Sequence, residues 1–233
     1  MTRRAVVLSG GLTHDFPATT GCLTELLEDA GCRIEIHTGT SGVDSALTAL
    51  PGAALFVVNA LRWTMRGDGT PERYRSRAGA EGASPSPRAR EALGRHLADG
   101  GGVLAMHTAA LCFDDWPGWS ETLGGHWEWG HSHHPPVGPP IEVRVGDGHP
   151  LVDGVGDFTV VDEVYSDLRR GPDVTALAAA RAPDTGAEQP MLWAREHAGG
   201  RVVYDALGHH PPSYAVPEHR EIVARAIRWT TTG

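Results

Sequence analysis

Of all the residues in this sequence, His107 is the one best placed to do chemistry. It follows Gly100-Gly101-Gly102 and the apolar run Val103-Leu104-Ala105-Met106, and the small residues Thr108-Ala109-Ala110 come after it. That pattern predicts a buried strand, a sharp turn and the start of a helix, and a polar side chain at such a junction points to the sheet edge where ligands bind. His107 is therefore expected to face a water-accessible cleft, although a histidine that caps a helix or hydrogen-bonds in the core would fit the same stretch. Two more histidines leave predicted strands in the same way: His14, beyond Ala5–Ser9 and Gly10-Gly11, and His209, beyond Arg201–Tyr204 and Ala206-Leu207-Gly208. Imidazoles there can transfer protons near neutral pH, bind a substrate hydroxyl or ligate a metal. His14, His107 and His209 are the candidates for a divalent metal, a question the sequence leaves open.

Asp162-Glu163-Val164-Tyr165 supplies carboxylates and a phenol. In an extended chain Glu163 and Tyr165 share one face and Asp162 takes the other. Glu163 with Tyr165 can orient a substrate hydroxyl or hold a histidine in one tautomer; an edge strand with polar residues facing water would give the same pattern. Trp116, Trp119 and Trp127 bracket Gly124-Gly125-His126, and His131, His133 and His134 follow before two prolines. Such a run suits a metal site or a carbohydrate surface, because sugars stack their apolar faces on indole rings. Trp127 and His131 are its candidate substrate-binding residues. The histidine spacing is not that of a zincin helix, and no HExxH occurs.

The elements that must position these residues follow from periodicity. Ala5–Ser9, Arg33–His37 and Ala53–Val58 read as strands, with helical spacing at Leu23, Leu26 and Leu27 and again at Ala46, Leu47 and Leu50. This is a βαβαβ opening. From 59 to 87 the pattern stops, and Arg62, Arg66, Arg73, Arg75 and Arg77 sit among glycines, serines and prolines. The segment reads as an exposed insertion loop, either a lid or a solvated excursion without a role. Arg88–Leu97 resumes helical spacing ahead of the central strand. Ile141–Val145, Phe158–Val160, Val174–Ala180, Met191–Trp193 and Arg201–Tyr204 supply further strands, the last two joined by a turn at Ala198-Gly199-Gly200. Glu218–Trp229 closes the chain as an amphipathic helix. The expectation is one α/β domain over residues 1–233: a three-layer αβα sandwich on a mostly parallel sheet.

Composition narrows the partners. A formal net charge of -9 without a basic stripe argues against nucleic acid. No apolar stretch is long enough for a membrane helix, and Met1-Thr2-Arg3-Arg4 is followed by too few apolar residues for a secretion signal, so the expected location is the cytoplasm. Cys22, Cys32 and Cys112 lack metal-type spacing and fit reduced structural thiols. Oligomeric state is open, and a homo-oligomer is compatible with everything above.

Several of these motifs together resemble the ThuA-like (trehalose utilisation) family: GGGVLAMHTA at 100–109, Gly-His-Pro at 148–150, Asp-Glu-Val-Tyr at 162–165, Gly-Arg-Val-Val-Tyr at 200–204 and Leu-Gly-His at 207–209. The resemblance runs from the first strand to the final helix. It implies the flavodoxin-like fold of the class I glutamine amidotransferase superfold and a link to sugar metabolism, with keto disaccharides or keto-glycosides as the substrate class. A glutaminase needs a cysteine at the strand-to-helix elbow. Here His107 stands at the elbow and Cys112 is more than a helical turn further on, so glutamine hydrolysis is disfavoured. Two readings remain. In one, the protein is a sugar-modifying enzyme (an isomerase, lyase or hydrolase) with His107 as general acid or base, Glu163 as its partner, and His14, Tyr165 and His209 binding substrate. In the other, it is a ligand-binding module that kept the cleft and lost the nucleophile.

Overall fold

Leu55, Phe56, Val57 and Val58 are each fully buried, as are Ala5–Leu8 and Val103–Met106. Runs apolar on every side chain can only be strands covered on both faces, which is what a parallel sheet between helical layers provides. The computed structural model describes residues 3–232; Met1 and Thr2, part of the amino-terminal stretch read above, lie outside them. The elements in chain order are β1 (Arg3–Gly11), α1 (Phe16–Asp29), β2 (Cys32–Thr38), α2 (Gly42–Thr48), β3 (Leu55–Leu61), α3 (Glu72–Arg75), α4 (Ala78–Glu81), α5 (Pro87–Ala98) and β4 (Gly102–Met106). A 3-10 turn over His107–Leu111 follows, then α6 (Pro117–Leu123), β5 (Gly125–His126), β6 (Ile141–Val145), β7 (Phe158–Val160) and β8 (Arg169–Arg170). The chain ends with β9 (Ala176–Arg181), β10 (Glu188–His197), β11 (Gly200–Asp205), α7 (Pro211–Ala215) and α8 (Pro217–Thr230).

The main sheet has the order β2-β1-β3-β4-β11-β10-β9-β6-β7. Strands β2, β1, β3, β4 and β11 run parallel, and β10, β9, β6 and β7 extend the sheet as antiparallel neighbours. The chain moves one way along the sheet in β1–α1–β2 and the other way in β2–α2–β3, so right-handed crossovers place α1 and α2 on opposite faces. Helices α7 and α8 join α1, and α5 joins α2, completing the αβα sandwich. The reversal of direction between β1 and β3 opens a crevice at their carboxyl ends. The turns carrying His14, His107 and His209 all leave that edge, because β1, β4 and β11 are parallel.

The segment 59–87 differs from its expectation as an exposed loop. Strand β3 continues to Leu61, and Arg62, Trp63, Met65 and Thr70 are buried. Trp63 packs edge-on against Tyr74 at 5.3 Å and lies 6.1 Å from Trp129, while Arg62 Nη1 reaches Glu81 Oε2 at 3.4 Å. A few aromatic anchors spread among arginines are enough to fold the segment down, though too sparse to show a period. No helix among the described residues is long and apolar enough to cross a membrane.

Candidate functional site

The elbow after β4 is held in a backbone conformation that only its surroundings can maintain. His107 has φ of +46°, a region costing roughly 1–3 kcal/mol for a residue with a side chain. Three hydrogen bonds fix it: the Tyr204 hydroxyl donates to the His107 carbonyl at 2.8 Å, the Thr108 hydroxyl to the Ala60 carbonyl at 2.7 Å, and the Trp119 indole to the Ala109 carbonyl at 2.9 Å. The imidazole then lies beside the end of β11, where Nδ1 donates to the Ala206 carbonyl at 2.7 Å. Nε2 points into a cluster drawn from four separate segments.

His14 Nε2 lies 3.2 Å from His107 Nε2, His209 Nδ1 at 3.3 Å, Tyr165 Oη at 3.0 Å and Glu163 Oε2 at 3.3 Å. His209 Nδ1 is also 3.4 Å from Glu163 Oε2. One donor atom from each of His14, His107, Glu163 and His209 falls within 4.8 Å of the others, so these four side chains could share a proton or a metal ion. Glu163 and Tyr165 do share a face, and the expectation of polar residues turned to water fails, since both are buried. Asp162, on the other face, is a clamp: its carboxylate accepts from the backbone N–H groups of Glu163 at 2.8 Å, Gly208 at 2.9 Å and His209 at 3.4 Å. It ties the Glu163 segment to the His209 turn.

Burial and neighbouring charge set the ionisation of the cluster. Burial, reinforced by repulsion from His107 and His209, brings His14 down to about 4. Burial also opposes charge on His107, but Glu163, Asp162 and the Ala206 carbonyl outweigh it and raise its pKa. For Glu163 burial alone would push the carboxyl up, and the facing imidazoles of His107 and His209 instead hold it well below the usual carboxylate range. Burial keeps the Tyr165 phenol protonated, far above its ordinary range.

Above the cluster opens a cleft of about 230 Å³ walled by Trp63, Tyr74, Trp127 and Trp129, with Thr13, Arg73, His133 and His134 among its polar rim. His14 and Tyr165 reach this cleft, whereas His107 and Glu163, at 2% and 6% exposed, lie behind them. The expectation that His107 itself faces water is corrected accordingly: the turn is so tightly pinned that its ring forms the buried back of the site. Trp127 lines the cleft and meets the Tyr165 ring edge-on at 5.2 Å. His131 is exposed and lines none of it. The histidine run disperses instead of clustering. His126 borders a separate, more open cavity beside Arg169 and Arg195, His133 pairs with Asp184 at 3.2 Å, and only His134 reaches the site, 3.3 Å from Glu163 Oε1. An isolated bridge between His133 and Ser166 holds this run against the Tyr165 segment, which brings His134 and not His131 to the site. Trp119 belongs to the core. Sequence reasoning also missed Trp63, Tyr74 and Trp129; the Trp127-Glu128-Trp129 alternation was the available signal.

The sequence matches the model of the ThuA (trehalose utilisation) family over residues 4–230. The chain belongs to the ThuA family. The family description ties it to carbohydrate metabolism. ThuA-like proteins of known structure are similar to it throughout: one from Parabacteroides merdae is 17% identical, with a TM-score of 0.77 over 100% of this chain and 91% of that one. Another, from Bacteroides uniformis, is 18% identical with a TM-score of 0.66, covering 98% and 91%. A β-galactosidase from Bacillus circulans contains a similar fold in 30% of its own chain, matching 97% of this one at 11% identity and a TM-score of 0.59. These likenesses concern the fold. No curated protein matches the sequence.

Proposed function

We propose that this ThuA chain is an enzyme that binds a carbonyl-bearing sugar, such as a keto-glycoside, in the Trp127 cleft and transfers a proton beside that carbonyl at the His107–Glu163 cluster. One observation carries the reading. Four segments far apart in sequence deliver His14, His107, Glu163 and His209 to one point beneath an aromatic-walled cleft. A binding module needs stacking rings and hydroxyl partners, but gains nothing from burying a carboxylate among three imidazoles, which is costly unless the charges are used.

The cleft supports a sugar as ligand. Trp127, Trp129 and Tyr74 offer aromatic faces, and Arg73, His133 and His134 offer donors to hydroxyls. Carbon acids next to a carbonyl become reactive when a base takes the proton while the oxygen's developing charge is stabilised. Glu163 and His107 occupy the floor where that proton is handled. Tyr165 and His14, which reach the cleft, touch the substrate. His134, contacting Glu163 and partly exposed, is the route for proton exchange with solvent. Isomerisation and elimination of a keto-glycoside share this step, as does hydrolysis that runs as elimination of the glycosidic group followed by addition of water.

The test is deuterium exchange. Keto sugars and their parent glycosides are incubated with the protein in D₂O and followed by NMR, with product analysis. Exchange at the carbon beside the carbonyl, slowed about a hundredfold or more in Glu163→Gln, supports the reading. No exchange and no turnover across the panel would overturn it, and saturable binding without either would make the chain a binding module.

A further inference from the structure

We infer that His14, His107, His209 and Glu163 bind one divalent transition-metal ion of the zinc class, with the cleft side left open for a sugar oxygen. The inference rests on the cluster being the reacting centre of the proposed sugar chemistry, where the ion would polarise the carbonyl and make the neighbouring proton easier to remove.

Three observations carry it. The first is spacing. Four of the six donor–donor separations are 3.2, 3.3, 3.3 and 3.4 Å, and none of the six exceeds 4.8 Å. The His107, His209 and Glu163 donors form a triangle with edges of 3.3, 3.3 and 3.4 Å, the size of one face of a regular tetrahedron whose centre lies about 2.0 Å from each corner, the length of a zinc bond to imidazole nitrogen or carboxylate oxygen; His14 stands 3.2 Å from His107 and within 4.8 Å of the other two.

The second is protonation. A carbonyl only accepts, so His107 Nδ1, 2.7 Å from the Ala206 oxygen, carries the proton. The Thr13 hydroxyl already donates to the Leu12 carbonyl at 2.6 Å, so His14 Nδ1, 3.1 Å from that hydroxyl, donates to it. With both remote nitrogens carrying their protons, the neutral rings turn both Nε2 lone pairs to the same point, 3.2 Å apart, the arrangement of two imidazoles on one ion. Fixing the remote nitrogen on a carbonyl or hydroxyl is how proteins orient ligating histidines. The Tyr165 hydroxyl, which reaches the cleft, lies 3.0 Å from His107 Nε2 and so borders the same point.

The third is an orphan. Glu163 Oε2 is buried without a hydrogen bond and is aimed at this same point, while its other oxygen faces His134. A buried carboxylate oxygen with two imidazole nitrogens at 3.3 and 3.4 Å and no hydrogen bond is costly, and a shared cation offsets that cost. Three imidazoles and one carboxylate suit zinc and its first-row neighbours over calcium or magnesium, which prefer all-oxygen shells.

The experiment uses the full-length chain with any affinity tag removed. After chelator treatment and dialysis it is loaded with Zn²⁺ or Co²⁺ and assayed by elemental analysis, cobalt visible absorption and thermal unfolding. About one equivalent per chain, visible bands for bound cobalt and a raised Tm are expected. His209→Asn and Glu163→Gln should weaken binding at least about a hundredfold, while His131→Asn, at an exposed position away from the site, should bind as the wild type does. Circular dichroism confirms that each variant is folded. Less than a tenth of an equivalent in folded wild-type protein, or cobalt binding unchanged in both ligand variants, would overturn the inference. Sugar exchange that persists in metal-free protein defeats the metal site but not the sugar reading; stoichiometric metal without any sugar binding or exchange does the reverse.

Discussion

His219 Nε2 stands 3.0 Å from Asp205 Oδ2, with the two side chains 1% and 3% exposed. Ser213 Oγ lies 3.2 Å from the other ring nitrogen, so a serine, a histidine and an aspartate come together as in a hydrolase. Ser213 is wholly buried, however, and no substrate can reach it. The arrangement is structural: Asp205 also accepts from Leu207 N at 2.9 Å, so it fastens α8 to the turn that carries His209. Burial works against charge on His219, but Asp205 and the Ser213 carbonyl outweigh it and raise its pKa. Stability from this charge is therefore present in full below the ordinary imidazole pKa near 6.5 and is lost as pH rises through the higher folded value. The expected result is that His219→Gln lowers Tm by several degrees at pH 6, equivalent to about 1.5–3 kcal/mol, and by less at pH 9. A gap that widens with pH would contradict this assignment.

Trp127→Ala should separate binding from folding. The indole is half-buried at the cleft wall, and its Nε1 has no partner among the described residues. Losing a stacking face is worth about 1.4 kcal/mol, or tenfold in affinity, for whichever sugar the panel identifies. Titration calorimetry measures it, and unchanged affinity would move the sugar away from this wall.

Most of the sheet was legible because its strands are extreme. Leu55–Val58 and Val103–Met106 are continuous apolar runs, and Ile141–Val145 and Phe158–Val160 alternate so cleanly that the observed strands have the same limits. The histidines at strand ends were legible for the same reason: once β1, β4 and β11 are parallel, their ends must meet. What could not be read depends on contacts with no period. Trp129 meets Trp63 and Tyr74 across more than fifty residues, and the local alternation Trp127-Glu128-Trp129 shows only that two indoles share a face, not what they meet. Likewise, choosing His134 over His131 needs the pairing of His133 with Ser166, a long-range bridge in a segment without strand propensity.

Gly208 is a position where one methyl group should disable the site. Its φ is +102°, and a Cβ there would come within 2.6 Å of the Tyr214 hydroxyl. Gly208→Ala must shift the turn that gives its N–H to Asp162 and carries His209. The cost should be about 1–3 kcal/mol by thermal or denaturant unfolding. Loss of sugar exchange beyond that modest destabilisation is expected; a variant as stable and active as wild type would show that the turn is not strained.

The thiols bear on the superfold. In the amidotransferase arrangement a cysteine at the elbow would attack substrate, and the cysteine nearest the elbow here is Cys112. Its Sγ donates to the Ala60 carbonyl at 3.1 Å and accepts from Arg62 N at 3.4 Å, and the residue is 3% exposed. Burial pushes its pKa up to about 12, so almost no thiolate exists at neutral pH, and the thiolate is the nucleophile. Cys22 is the most accessible of the three. A disulfide-exchange reagent should therefore label Cys22 first and leave Cys112 unlabelled until the protein unfolds, with sugar exchange unaffected by the labelling. Cys112→Ala should cost about 1–3 kcal/mol in stability, because it removes a packed sulfur and leaves the Arg62 N–H without its acceptor. Its activity should stay within a few-fold of wild type. A folded Cys112→Ala protein that has lost sugar turnover would return the nucleophile to this fold and displace the histidine–glutamate cluster as the reacting centre.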